Sequence, residues 1–263
     1  IFVLANFWKK MINLFRKKED KFSYIEEGEG EPIVVLHGLM GGLSNFEEVI
    51  KFFSKRYKVV IPELPIYDLP LLSTTVKNLT NWVYRFIEYK QFDKVILLGN
   101  SLGGHIGLLL TKLHPERVKA LILTGSSGLY ERSFGDSFPR KSDKEYIKRK
   151  TQEVFYNPDV ATDELVDEVF GIVNDRMKGI KTVMLARSAI KHNMQNELPN
   201  IKCPTCIIWG KQDNVTPPDV AIEMNRLIPN SELFWIDQCG HAAMMEKPAE
   251  FNEILYNWLK DKV

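Results

Sequence analysis

Three features of the sequence predict an α/β fold, a mostly parallel central sheet with helices on both faces and an inserted helical cap. Short runs such as PIVVL, KVILLGN and VKALILTG are apolar without alternation, as suits strands covered on both faces. Longer stretches with helical spacing separate them, which implies right-handed βαβ crossovers. Residues 126–199 hold no convincing strand, and the strand–helix rhythm resumes after Pro199. That pattern reads as an insertion into one domain.

Taken in order, 22–28 alternates as a strand and 32–38 is a continuous apolar strand ending in His37-Gly38. Residues 44–56 predict a capped amphipathic helix, 57–64 a strand and 73–90 a long helix. A strand over 94–100 runs into a helix over 102–114, and 118–125 is the next strand. The insertion predicts helices near 144–156, 162–175 and 177–194. Thr162 is placed as an N-cap, with Asp163 and Glu164 in the first turn where the helix dipole favours them. Strands at 205–210 and 232–237 then alternate with helices at 217–228 and 248–260. The expected organisation is a terminal segment (1–21), the first part of the core (22–125), a cap (126–199) and the second part of the core (200–263). The cap is expected over the C-terminal edge of the sheet, where open α/β folds place their sites.

Composition excludes several classes. Thirty-five basic against 34 acidic side chains leave a net charge of +1, with no basic excess to recruit nucleic acid. Three cysteines, Cys203, Cys206 and Cys239, are too few and odd in number for a disulfide scaffold. The C-P-T-C pair runs straight into a buried strand and reads as structural. The apolar start of the chain is too short to span a bilayer, and its basic residues follow rather than precede it, unlike a signal peptide. Helical spacing would put Phe7, Met11, Leu14 and Phe15 on one face with lysines opposite, a surface able to rest on a membrane. Competing readings are a segment packed on the protein's own body, or added residues ahead of a natural start at Met11. The expected location is the cytoplasm, the expected partner a small molecule, and no metal or cofactor is called for.

The chemistry centres on Gly99-Asn100-Ser101-Leu102-Gly103, a G-x-S-x-G between a buried strand and a helix. The turn brings the positions two before and two after the serine into near contact, so glycine is needed at both. The helix start then presents the Leu102 N–H to any negative charge developing beside the hydroxyl. A serine hydroxyl needs a base. Of the five histidines, His241 follows the last strand on the same sheet edge as Ser101, whereas His37, His105, His114 and His192 are less well placed. Asp213, just past the preceding strand, is the acid of choice, with Glu246 and Asp237 as rivals.

With these pieces in place the chain resembles the α/β-hydrolase superfamily, in its capped esterase and C–C-hydrolase-like branch. VVLHG, GNSLGG, WGKQDNVTP and CGHAAMMEKP match its first core strand, elbow, acid and base in the family's order, over residues 33–260. The resemblance implies that the Leu39 N–H is a second oxyanion donor and that His37 is a structural residue of that loop. The chain departs from the family in PELPIYDLPLLS, which has prolines where glycines are usual. It shares with C–C hydrolases an Asn before the serine (Asn100), and Arg187 is a candidate for their cap arginine. Their tryptophan after the catalytic histidine is here Ala242.

The function expected is hydrolysis of a small or medium carboxylic ester through Ser101, His241 and Asp213. The alternatives are a C–C hydrolase of a vinylogous diketone acid and a non-catalytic ligand-binding protein on this fold; a perhydrolase would use the same triad. Met40, Asn100, Met184, Arg187 and Met244 are the expected substrate contacts, with Met245 a further pocket methionine; ordinary core packing for the methionines and a place on the cap surface for Arg187 are the competing readings. Lys141, Lys148, Arg149 and Lys150 are expected to form a solvated face of the cap.

Overall fold

The computed structural model describes residues 16–130 and 140–263. Eight strands form one sheet in the order β1-β2-β4-β3-β5-β6-β7-β8. They are β1 (Arg16–Glu19), β2 (Phe22–Glu27), β3 (Pro32–Leu36), β4 (Lys58–Pro62), β5 (Val95–Asn100), β6 (Val118–Thr124), β7 (Thr205–Gly210) and β8 (Ser231–Ile236). The pairs β1·β2 and β2·β4 are antiparallel and all others parallel. The helices are α1 (Glu47–Phe53), α2 (Val76–Tyr89), α3 (Leu102–Leu113), α4 (Lys144–Gln152), α5 (Asp163–Asn174), α6 (Arg176–Lys191), α7 (Pro218–Leu227), the short α8 (Ala243–Glu246) and α9 (Pro248–Lys262).

Strand alternation sends neighbouring residues into two separate cores. Val34, Leu36, Leu97, Leu121, Leu123, Ile207 and Trp209 pack under α2, α3 and α7. Ile33, Val35, Ile96, Leu98, Ile122, Cys206 and Ile208 pack under α1 and α9, against Phe53, Phe251 and Trp258. Both faces are therefore covered, which is why these strands are apolar throughout.

The cap is α4, α5 and α6. Asp143, Thr162 and Asp175 cap their N-termini by accepting from Tyr146, Leu165, and Met177 and Lys178. The Thr162 cap lies where the sequence places it. No helix among the described residues is long and apolar enough to cross a membrane.

Two expectations change. Residues 16–19, expected within the terminal segment, form the edge strand β1. All four are exposed, so no alternation marks them; backbone pairing to β2 and side-chain pairs Arg16–Glu63 and Lys17–Glu26 hold the strand. The helix expected from residue 44 opens instead as a 3-10 turn, Leu43–Phe46, and turns α-helical at Glu47, where two carboxylates meet the helix start. The amphipathic face of Phe7, Met11, Leu14 and Phe15 lies outside the described residues.

Candidate active site

Four loops that leave the C-terminal ends of parallel strands build the site: β3 to Leu39, β5 to Ser101, β7 to Asp213 and β8 to His241. Ser101 occupies a turn at φ 54°, ψ −120° between β5 and α3. That left-handed conformation costs a non-glycine residue about 1–3 kcal/mol. A side chain at Gly99 would sit 2.5 Å from the Gly103 carbonyl, and one at Gly103 would strike the end of β3 at Leu36. Both glycines therefore let the helix fold back on the strand, as the motif requires. Ser101 N–H donates to the Thr124 carbonyl at 3.2 Å, anchoring the turn on β6.

His241 and Asp213 are 7% and 2% exposed, and the imidazole Nδ1 lies 2.9 Å from Asp213 Oδ2. Asp213 is itself held: Oδ1 accepts from the Val215 and Thr216 N–H groups at 2.8 and 2.9 Å, and Oδ2 accepts the Thr216 hydroxyl at 2.8 Å. With Nδ1 engaged, Nε2 is the nitrogen left for chemistry. Ser101 and His241 line one pocket. Among the described residues the Ser101 hydroxyl makes no hydrogen bond.

Gly38 packs against the serine, a side chain there falling 3.2 Å from Ser101 Cβ. His37 Nε2 accepts the Leu64 N–H at 3.1 Å, so Nδ1 carries the hydrogen and donates to the Gly38 carbonyl at 2.9 Å. In a planar trans peptide the following N–H points the other way. The bond to His37 thus turns the Leu39 N–H away from the imidazole. Burial holds the His37 pKa below its usual value, which keeps the ring in this neutral form.

The pocket is lined mainly by apolar groups, Leu39, Met40, Val154, Phe155, Leu165, Val169, Ala242 and Met245 among them. Of the expected substrate contacts, Met40 and Asn100 line it and Met184, Arg187 and Met244 do not. Met244, on α8, is buried in the core, Arg187 is exposed on α6, and Met245 takes the pocket position. Asn100 is used as a brace: its amide donates to the Thr124 and His241 carbonyls at 3.0 and 3.2 Å. Lys150, expected on a solvated face, lines the pocket beside Thr151, because the α4 turn that carries it leads into the pocket-wall residues Val154 and Phe155. Its ammonium pairs with Glu153 at 2.6 Å.

Three contributors were not anticipated as such. Gly125 has φ +52°, and a side chain there would fall 2.8 Å from His241 Nδ1. Thr216 completes the Asp213 cradle. Glu246, a rival for the acid, contacts backbone N–H groups instead. The other rival, Asp237, bonds Gln212 on the surface.

His105 and His192 lie off the pocket and bond each other, Nε2 to Nδ1, at 3.1 Å. Burial, reinforced by His192, pushes the His105 pKa down to about 3 from 6.5. Protonation therefore favours the unfolded chain. Stability from this group should be intact above pH 6.5 and fall towards pH 3 by up to ~1.4 kcal/mol per pH unit. Melting temperatures between pH 8 and 4.5 should fall less steeply for His105→Leu than for the wild type; parallel curves would contradict a buried neutral His105.

The sequence pattern of the α/β hydrolase fold matches residues 31–248. The chain is similar to 2-hydroxy-6-oxo-6-(2'-aminophenyl)hexa-2,4-dienoic acid hydrolase of Metapseudomonas resinovorans, with 29% identity over 259 residues covering 90% of this chain and 86% of that one. Among solved structures it is similar to MGS-MChE2, an α/β hydrolase enzyme from a sediment metagenome of the Mar Chica lagoon, with 51% identity and TM-score 0.78 over 94% and 98% of the two chains. It is also similar to CarC, a serine hydrolase involved in carbazole degradation, with 26% identity and TM-score 0.79 over 91% and 94%.

Proposed function

The chain belongs to the α/β-hydrolase family, and on that premise we propose that it cleaves a carbon–carbon bond beside a ketone, with Ser101 as nucleophile, His241 as base and Asp213 as its partner. The observation that carries the serine mechanism is the buried Asp213–His241 pair opening onto the pocket of Ser101. Ser101 attacks the ketone carbon while His241 Nε2 takes its proton. The oxyanion accepts from the Leu39 and Leu102 N–H groups. The carbon–carbon bond then breaks; its electron pair leaves as an enolate stabilised by a second carbonyl, and His241 returns the proton to it. Water, deprotonated by His241, hydrolyses the acyl-serine, releasing a carboxylic acid and restoring the hydroxyl.

What favours carbon–carbon cleavage is the dienoic acid hydrolase relative, spanning nearly the whole chain, together with Asn100 ahead of the serine. Hydrolysis of a carboxylic ester is the second reading, favoured by the apolar pocket lining and by Arg187 on the outer side of the cap. Both run through one acyl-enzyme, so substrates decide. Wild type should turn over a 2-hydroxy-6-oxo-dienoate with kcat/KM at least ~10²-fold above p-nitrophenyl esters of graded chain length, a gap of about 2.7 kcal/mol. A reversed preference would establish the esterase; serine-independent binding without turnover of either would indicate a binding protein.

A further inference from the structure

The contacts of Glu246, at the end of α8, join the cap to the loop that carries His241. Its Oε2 accepts the Gly240 N–H at 2.7 Å and the Tyr156 N–H at 3.2 Å, and its Oε1 accepts the Asn157 N–H at 2.5 Å. Among the described residues it has no salt-bridge partner, so backbone N–H groups from two segments meet its charge. The same two segments touch twice more. The His241 N–H donates to the Val154 carbonyl at 2.9 Å, and a side chain at Gly240 would lie 2.5 Å from that carbonyl and 2.9 Å from Phe155 Cα. Val154 and Phe155 are pocket wall. The stretch 154–157 is therefore both the surface a substrate presses and the surface the His241 backbone hangs from.

We propose that Glu246 is a positioning residue that couples the cap wall at 154–157 to the placement of His241, so that closing the cap on a substrate brings Nε2 onto Ser101. This rests on the serine-hydrolase reading. Asp213 sets the tautomer and the tilt of the ring; Glu246 sets where the backbone beneath it stands. The Ser101–His241 bond is not made in this structure, so its formation needs a shift of the histidine loop, the serine or both, and Glu246 ties one of those movements to the cap. Displacement by about 1 Å at a reacting pair costs roughly 10²-fold in rate.

The test uses the whole chain and two substitutions on opposite sides of the contact. Glu246→Gln keeps the shape and removes the charge and one good acceptor. Asn157→Pro removes one cap-side N–H at a residue whose φ of −91° lies near the range proline adopts. Asn157→Ala is its control, because it loses the same side chain and keeps the N–H. Three quantities are read: kcat and KM on the better substrate, and the rate at which a small fluorophosphonate labels Ser101. Melting temperature reports folding. Glu246→Gln should lower kcat and labelling about tenfold or more with KM changed little, and Asn157→Pro should follow with a several-fold loss that Asn157→Ala does not show. If both rates stay within twofold of the wild type in folded Glu246→Gln, or if Asn157→Pro and Asn157→Ala behave alike, the coupling is refuted and Glu246 only holds the fold. Failure of the underlying reading would look different: the wild type itself would show no labelling at Ser101.

Discussion

Ser101→Ala is expected to lower kcat by about 10⁶-fold while leaving KM within a few-fold of the wild type, the scale known for nucleophilic serines acting with a base. On the proposed mechanism the hydroxyl supplies the covalent step, whereas the other hydroxyl of the lining, Thr151, is tied up donating to the Ile147 carbonyl at 2.9 Å. Met40, Val154, Leu165 and Ala242 offer no nucleophile, and Lys150 is paired with Glu153. The fold should survive, because the elbow is held by backbone bonds and by the close approach of Gly99 to Gly103, neither of which uses the side chain. Alanine meets the same left-handed backbone that serine does, so the strain is unchanged. Steady-state kinetics on the preferred substrate, with circular dichroism as the folding control, give the answer. Turnover within tenfold of the wild type would remove Ser101 from the mechanism.

Asp213→Asn should cost about 10⁴-fold in kcat with a modest loss of stability, by the tautomer argument that applies to buried aspartates behind a catalytic histidine. The local bonds say which way the new amide would sit. Its oxygen would stay with the Val215 and Thr216 N–H groups that now hold Oδ1. Its NH₂ would then face His241 Nδ1, where Oδ2 is now 2.9 Å away. Two donors cannot share that contact, so Nδ1 must become an acceptor and the proton must move to Nε2. The nitrogen needed to take the serine proton would already carry one. A variant retaining more than a tenth of the wild-type kcat would show that Asp213 does not set the tautomer.

Much of the site is readable from sequence because its constraints are local. Gly99 and Gly103 bracket Ser101 for a steric reason that acts across five residues, and Asp213 and His241 each follow an apolar strand of recognisable length. Other features depend on contacts far apart in the chain. Gly125 is needed only because His241, more than a hundred residues later, packs onto it. Glu246 looks like a rival acid on a helix near His241, and only the folded chain shows its oxygens turned to Gly240, Tyr156 and Asn157. Cap residues are the least legible in the sequence. Helical periodicity separates inside from outside on α4 and α6, but not which inside face meets the pocket, so Lys150 lines it against expectation while Arg187 takes the cap-surface place that competed with a substrate contact. The edge strand β1 carries no apolar signal at all, since its sequence RKKE pairs through the backbone.

The proposed mechanism makes Ser101 a nucleophile activated by the His241–Asp213 pair. Covalent labelling with a fluorophosphonate, followed by peptide mass spectrometry, tests it without knowing the substrate. One adduct should form on the peptide that contains Ser101, vanish in Ser101→Ala, and form at least ~10²-fold more slowly in His241→Gln and in Asp213→Asn, because the reagent needs the same activated oxygen. A folded wild-type protein that takes no label, or that is labelled at a residue other than Ser101, would rule out Ser101 as the nucleophile.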